Sequence, residues 1–196
     1  MKRLVLGLPA RTILAFLVIV CGALVLAGRA APAVADSGSG TDERGDAPAR
    51  VDITGLHVEN GNRWFSMRVE VRNLRQKGNF QLFYEEGRRA PSAPPHRGAL
   101  IIVHRVAGET RARWLGCSRE DCSAEPGEGC GRLRASWNTV TDVIRVEAPH
   151  ACLWWLQRHP DQSPPRTGTF DVYSYLGRLG GDGESDGIDP VVVDRG

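Results

Sequence analysis

Lysine is nearly missing from this chain: Lys2 and Lys77 stand against 23 arginines among its 25 basic residues. So strong an arginine skew is a mark of a GC-rich coding sequence and points to a bacterial source. Helical periodicity is missing too, since apolar residues do not recur at three- and four-residue steps over any long window. Without alternating strands and helices, a nucleotide-binding α/β fold is excluded. No segment repeats at a fixed period, which excludes a solenoid or propeller. No nucleophile elbow is read, since the one G-x-S-x-G string, at 183–187, precedes no helix. The glycines of 180–187 follow a strand and precede no helix, so no phosphate-cradling loop is encoded either. What is plentiful is glycine, at 23 residues, and proline, at 12; with an apolar fraction of 41% these describe a loop-rich chain.

The N-terminus has three parts. Lys2, Arg3 and Arg11 precede an apolar run at 13–26, and Ala33-Val34-Ala35 then forms an A-x-A site before Asp36. This is the order of a secretory signal peptide, which predicts a mature chain beginning at Asp36. The run is shorter than the roughly 20 residues of a spanning helix, which sets a signal ahead of an uncleaved anchor. Cys21 lies inside the run after Val20, where a lipobox wants a small residue. Cleavage would remove Lys2, Arg3, Arg11 and Arg29 and no acid. The 25 basic residues then fall to 21 against 23 acidic ones, a net of −2. The formal +2 of the whole chain is therefore no sign of nucleic-acid binding.

Four cysteines remain after cleavage: Cys117, Cys122, Cys130 and Cys152. An even number in an exported chain reads as two disulfides. Zinc would want paired C-x₂-C spacing or a histidine at fixed distance, and the gaps here are 4, 7 and 21 residues. The predicted pairs are Cys117–Cys122, closing a short polar loop, and Cys130–Cys152, joining the far ends of a hairpin.

Strand signals fill the body. Residues 50–58 carry Val51, Ile53, Leu56 and Val58 with a phase shift at Gly55 that suggests a bulge. Asn60-Gly61 centres a hairpin turn. Phe65, Met67, Val69 and Val71 then alternate with polar residues. Further strands are read around Phe80–Tyr84, at 100–106 as a central strand, and at 111–117, 132–137, 142–148 and 168–176. About eight short strands with turn signals between them predict a single antiparallel β-sandwich, jelly-roll-like and held by disulfides. The expected organisation is a signal peptide at 1–35, a flexible leader at 36–48, the sandwich at 49–177, and a Gly/Asp-rich tail at 178–196. Asp36-Ser37-Gly38-Ser39-Gly40 is similar to the nucleophile loop of serine proteases, but it precedes any folded segment and is read as linker.

The order of motifs resembles DOMON-like and family 9 carbohydrate-binding-module-like sandwiches. Ala148-Pro149 ends a strand, Cys152-Leu153 follows, and a Gly-Thr-Phe-Asp-Val strand comes after an irregular stretch. In the front half, Asp42, Gly45-Asp46 and Asp52-Ile53 open the first strand. The resemblance spans roughly residues 42–189 and implies a haem or sugar ligand. No Met/His axial pair for haem can be assigned, because Met67 falls on the core face and nothing marks His104 as its partner.

Candidate sites are few. The five histidines, at 57, 96, 104, 150 and 159, form no recognisable triad. Adjacent Trp154 and Trp155 follow the Pro149 corner and are the candidate ligand-binding aromatics. Arg88-Arg89 and His96-Arg97 flank a proline-rich loop beside Glu85-Glu86, read as a solvated loop. Asp182, Glu184 and Asp186 alternate before Gly187 in partial likeness to a calcium loop, with weak affinity expected. The expected function is a secreted, non-catalytic binding or interaction module, with polysaccharide or another cell-envelope component as partner and calcium as the one cofactor with a candidate set. The alternatives are an extracellular hydrolase using a carboxylate pair such as Asp142 with Asp171, and an envelope protein held by an uncleaved N-terminus.

Overall fold

The computed structural model describes residues 35–87, 97–117, 122, 132–153, 156, 161–175 and 185–196. Residues 35–196 form one compact unit. The strands are β1 (Asp36–Thr41), β2 (Ile53–Asn60), β3 (Trp64–Val71), β4 (Gly78–Glu86), β5 (Gly98–Val106), β6 (Glu109–Cys117), β7 (Arg134–Asn138), β8 (Val143–Pro149), β9 (Thr167–Tyr175) and β10 (Ser185–Asp194). They make two five-stranded antiparallel sheets, ordered β1-β2-β3-β8-β7 and β10-β9-β4-β5-β6. The sheets face each other as an all-β sandwich. Among the described residues, no helix is long and apolar enough to cross a membrane.

Period-2 alternation explains the core. Phe65, Met67, Val69 and Val71 of β3 are buried, and Phe80, Leu82 and Tyr84 of β4 meet them from the other sheet. Phe65 stacks on Tyr84 with ring centroids 5.1 Å apart, and Phe170 of β9 lies 5.5 Å from Phe65. The register of β2 against β3 shifts between Ile53 and Gly55, where the sequence places a bulge. β7 and β8 pair as a hairpin. Asn138 Oδ1 accepts from the amides of Val140 and Thr141 at its tip. Asp142 holds φ at +54° there, and its Oδ1 accepts from Leu74 N.

Three expectations are corrected. The segment 36–48 is not wholly a leader, because β1 pairs along the edge of β2 from Asp36↔Asn60 to Thr41↔Gly55. The tail at 178–196 supplies β10, paired with β9. The strand at 100–106 is not central: β5 lies next to the edge strand β6, and β4 holds the middle of its sheet. Cys117–Cys122 is a disulfide as expected; closing so short a loop contributes about 2 kcal/mol by the chain-entropy argument. Cys152 is also disulfide-bonded, and its expected partner Cys130 lies outside the described residues, as do residues 1–34 of the expected signal peptide and Arg88 to His96.

Candidate functional site

The strand register sorts the molecule into two ends. At one end lie the β2–β3 turn, the C-terminus of β8 and the short 3₁₀ turn His150–Cys152. Both edges of the chain close here, since Asp36 pairs with Asn60 and Gly196 N donates to Asn60 O at 3.0 Å. At the other end lie the start of β2, the β7–β8 turn and the start of β10.

At the first end, the alternation that buries Phe65 turns Trp64 outward. Trp64 is half-buried, whereas Trp114 and Trp137 are in the core. It stands between two hollows. One, of about 320 Å³, is lined by Glu59, Ser66, Glu147 and Ala35 among others. The second, of about 340 Å³, is lined by Asn62, Arg63, Arg132, His150, Gln162 and Pro149 among others. Both are at the lower end of the roughly 300–1,000 Å³ typical of small-ligand sites. Glu59, Ser66, Glu147 and Arg134 lie in register across the outer face of the sheet. Ser66 Oγ donates to Glu59 Oε2 at 3.1 Å, and Arg134 lies 4.0 Å from Glu147.

His150 holds this end together. Its Nε2 is 3.0 Å from Gly61 O, and its backbone amide donates to Arg63 O. The ring packs against Phe65 and Tyr84, and Nδ1 is buried without a hydrogen-bond partner. Burial is the main cause that lowers its pKa to about 4; the Gly61 hydrogen bond opposes this and the charge of Arg195 adds to it. The imidazole is therefore neutral at pH 7, with its one N–H donated from Nε2 to Gly61 O.

At the opposite end, Asp186 meets two acids from the chain before β2. Ligand oxygens of Asp42, Asp46 and Asp186 all lie within 4.8 Å of one another. Asp186 accepts from Ile53 N at 2.6 Å and from Gly187 N at 2.8 Å. The loop is pinned by buried Asp52, whose Oδ2 accepts from Gly45 N at 2.9 Å and from Arg72 Nε at 3.0 Å. Burial, followed by the nearby charges of Asp46 and Asp42, raises the Asp186 pKa against the pull of its two amide hydrogen bonds. Asp42 Oδ2 is shut off from water with no hydrogen-bond partner.

Of the residues singled out in the sequence, Trp154, Trp155, Asp182 and Glu184 lie outside the described residues, and Asp186 finds different acidic companions. Asp142 and Asp171 are not brought together. Asp142 sits in the β7–β8 turn of one sheet, while Asp171 lies on β9 of the other, out of phase with its core-facing neighbours Phe170 and Val172. Ser39 of the protease-like stretch is paired across strands with His57: Oγ is 2.8 Å from Nδ1, and Glu59 Oε1 is 4.0 Å from Nε2. The three residues are in a row on the outer face of a ladder, and neither Ser39 nor His57 lines the hollow that Glu59 borders. Hydrolysis needs oxyanion donors converging on a cleft beside the serine, so this row is read as cross-strand hydrogen bonding. Trp64 was not singled out in the sequence, although its phase, one residue before Phe65 on the most regular strand, marks it as outward-facing.

The fold and the Trp64 face together define a two-sheet β-sandwich with an aromatic ledge at one end. Comparison with protein-family models, curated proteins and solved structures gives no match.

Proposed function

We propose that the protein is an exported, non-catalytic binding module whose ligand face is the Trp64 end of the sandwich, and that it takes a polysaccharide or another cell-envelope component. The observation that carries this reading is Trp64 standing half-exposed between two hollows bordered by amide, guanidinium and carboxylate groups. An indole face stacks on the C–H face of a sugar, and planar polar side chains reach its hydroxyls. The disulfide supports an oxidising compartment. The resemblance to DOMON-like and family 9 carbohydrate-binding modules points the same way. The test is co-sedimentation with insoluble cell-wall polysaccharide. Trp64→Ala should lower the bound fraction by about tenfold in affinity, as expected for losing a stacked aromatic. Equal sedimentation of wild type and variant refutes this ligand face.

Calcium fits the same reading as a structural ion, and we propose that it is held by Asp42, Asp46 and Asp186. Three carboxylates at this separation repel unless a cation or protons intervene, and hard cations take oxygen ligands. Affinity in the roughly 10⁻⁴–10⁻³ M range of extracellular modules is expected. Millimolar calcium should raise the thermal midpoint over chelator, and Asp46→Asn should abolish the difference. A midpoint unmoved by calcium in the wild type eliminates the ion.

A further inference from the structure

We infer that the hollow between Trp64 and Pro149 binds an acidic glycan, with Arg63 and Arg132 on its carboxylate or phosphate groups and a sugar ring on the Trp64 indole. This rests on the reading of the Trp64 end as a polysaccharide-binding face and names the ligand class.

The charges around Trp64 are unevenly committed. Arg63 and Arg132 are exposed, line the same hollow, and have no ion-pair partner among the described residues. Arg68, Arg72 and Arg134 of the same sheet each face a carboxylate, on Glu70, Asp52 and Glu147 respectively. The acids beyond Trp64 are already engaged, Glu59 by Ser66 and Glu147 by Arg134. The described lining of the Arg63–Arg132 hollow contains no carboxylate. Its other polar side chains include the amides of Asn62 and Gln162, which can donate to and accept from hydroxyls.

A guanidinium presents paired donors that match a carboxylate or phosphate in two parallel hydrogen bonds. Arg63 is carried on a turn that is itself held, through Gly61 N to Trp64 O at 2.9 Å and through His150 N to Arg63 O at 2.9 Å. The backbone that presents the guanidinium is therefore in place before a ligand arrives, which lowers the ordering cost of binding. A neutral glycan would leave both cations without counter-charge; an acidic one satisfies them.

Affinity electrophoresis of the exported protein tests this, with polygalacturonate, poly(glycerol phosphate) or neutral xylan in the gel. One or both acidic polymers should retard the protein more than xylan does, and retardation should weaken as salt is added. Retardation by polygalacturonate assigns a carboxylate glycan, and by poly(glycerol phosphate) a phosphate one. Arg63→Ala and Arg132→Ala should each weaken binding by about tenfold, the loss of one charge-assisted contact. Both side chains are exposed, so the fold should survive, which circular dichroism checks. Arg145→Ala, on the outer face of β8, should change nothing. If xylan retards as strongly and the hollow variants bind like wild type, the acidic-glycan assignment falls while polysaccharide binding stands. If Arg145→Ala weakens binding as much as Arg63→Ala, the attraction is diffuse and the site is refuted. If no polymer retards the protein, both readings fall.

Discussion

His150 shows how one residue can tie a hairpin, a 3₁₀ turn and the aromatic core together. Its ring is almost wholly enclosed against Phe65 and Tyr84, with one nitrogen donating to Gly61 O and the other unpartnered. In the unfolded chain an ordinary histidine takes a proton near pH 6.5, but in the fold it does so only near pH 4. The unfolded state therefore binds the proton first. Stability conferred by neutral His150 is present above pH 6.5, is lost as pH falls toward 4, and levels off below that. The full loss is roughly 3 kcal/mol. Asp186 works in the opposite direction, since its raised pKa favours the folded state as it protonates. Urea midpoints at pH 7 and pH 4 should thus separate clearly in wild type and much less in His150→Gln, which starts less stable at pH 7. An identical pH slope in the two proteins would show that His150 is not the group responsible.

At the scale of elements, β1 explains an odd stretch of sequence. Gly38 and Gly40 face the partner sheet while Ser37 and Ser39 face out. A Cβ at Gly38 would come within 2.8 Å of Val191 and 2.9 Å of Val193, and one at Gly40 within 3.0 Å of Val191. Glycine here is what lets β1 close over β10. Glycine in a strand costs backbone entropy, roughly 0.5–1 kcal/mol against alanine. A larger side chain must displace β-branched valines already buried, at about 1–3 kcal/mol. The clash outweighs the entropy, so Gly38→Val should lower stability by about 1–3 kcal/mol in denaturant unfolding. Val at 38 without penalty would mean that β1 does not pack as described. The same feature hid β1 from the sequence, because a Ser/Gly alternation carries no apolar signal. β10 was hidden differently. Its register against β9 shifts between Ile188 and Val191, across Asp189 and Pro190. The bulge moves the buried phase from Ile188 to Val191 and Val193.

For the whole molecule, the two terminal strands complete the barrier between core and water. β1 and β10 are the edges of opposite sheets and pack on each other. Asn60 joins them: its side-chain Nδ2 donates to Val193 O, its backbone carbonyl accepts from Gly196 N, and Asp36 pairs with it. Ending the chain before Ser185 removes Ile188, Val191 and Val193 from the core. At roughly 1.5–3 kcal/mol for each buried aliphatic side chain, the loss rivals the total stability of an ordinary domain, roughly 5–15 kcal/mol. The truncated protein should lose its cooperative thermal transition and its near-ultraviolet circular dichroism. A sharp, wild-type-like transition would show that residues 185–196 are dispensable to the core.

Period-2 alternation, the Asn60-Gly61 turn, the Gly55 phase shift and the Cys117–Cys122 spacing are local properties of the chain. By themselves they determined the all-β class, most strand positions and one disulfide. The second sheet's strand order, the contribution of the terminal segments and the meeting of Asp42 and Asp46 with Asp186 were decided only in three dimensions. The β4–β9 pairs join residues 82 to 96 positions apart, and the contacts of β1 with β10 and of Asp42 and Asp46 with Asp186 join residues more than a hundred apart. Nothing in the neighbourhood of Gly38 announces Val191, and nothing near Asp186 announces Asp42. Such pairs form because two sheets must cover each other's apolar faces, and that requirement belongs to the assembled core rather than to any segment of sequence.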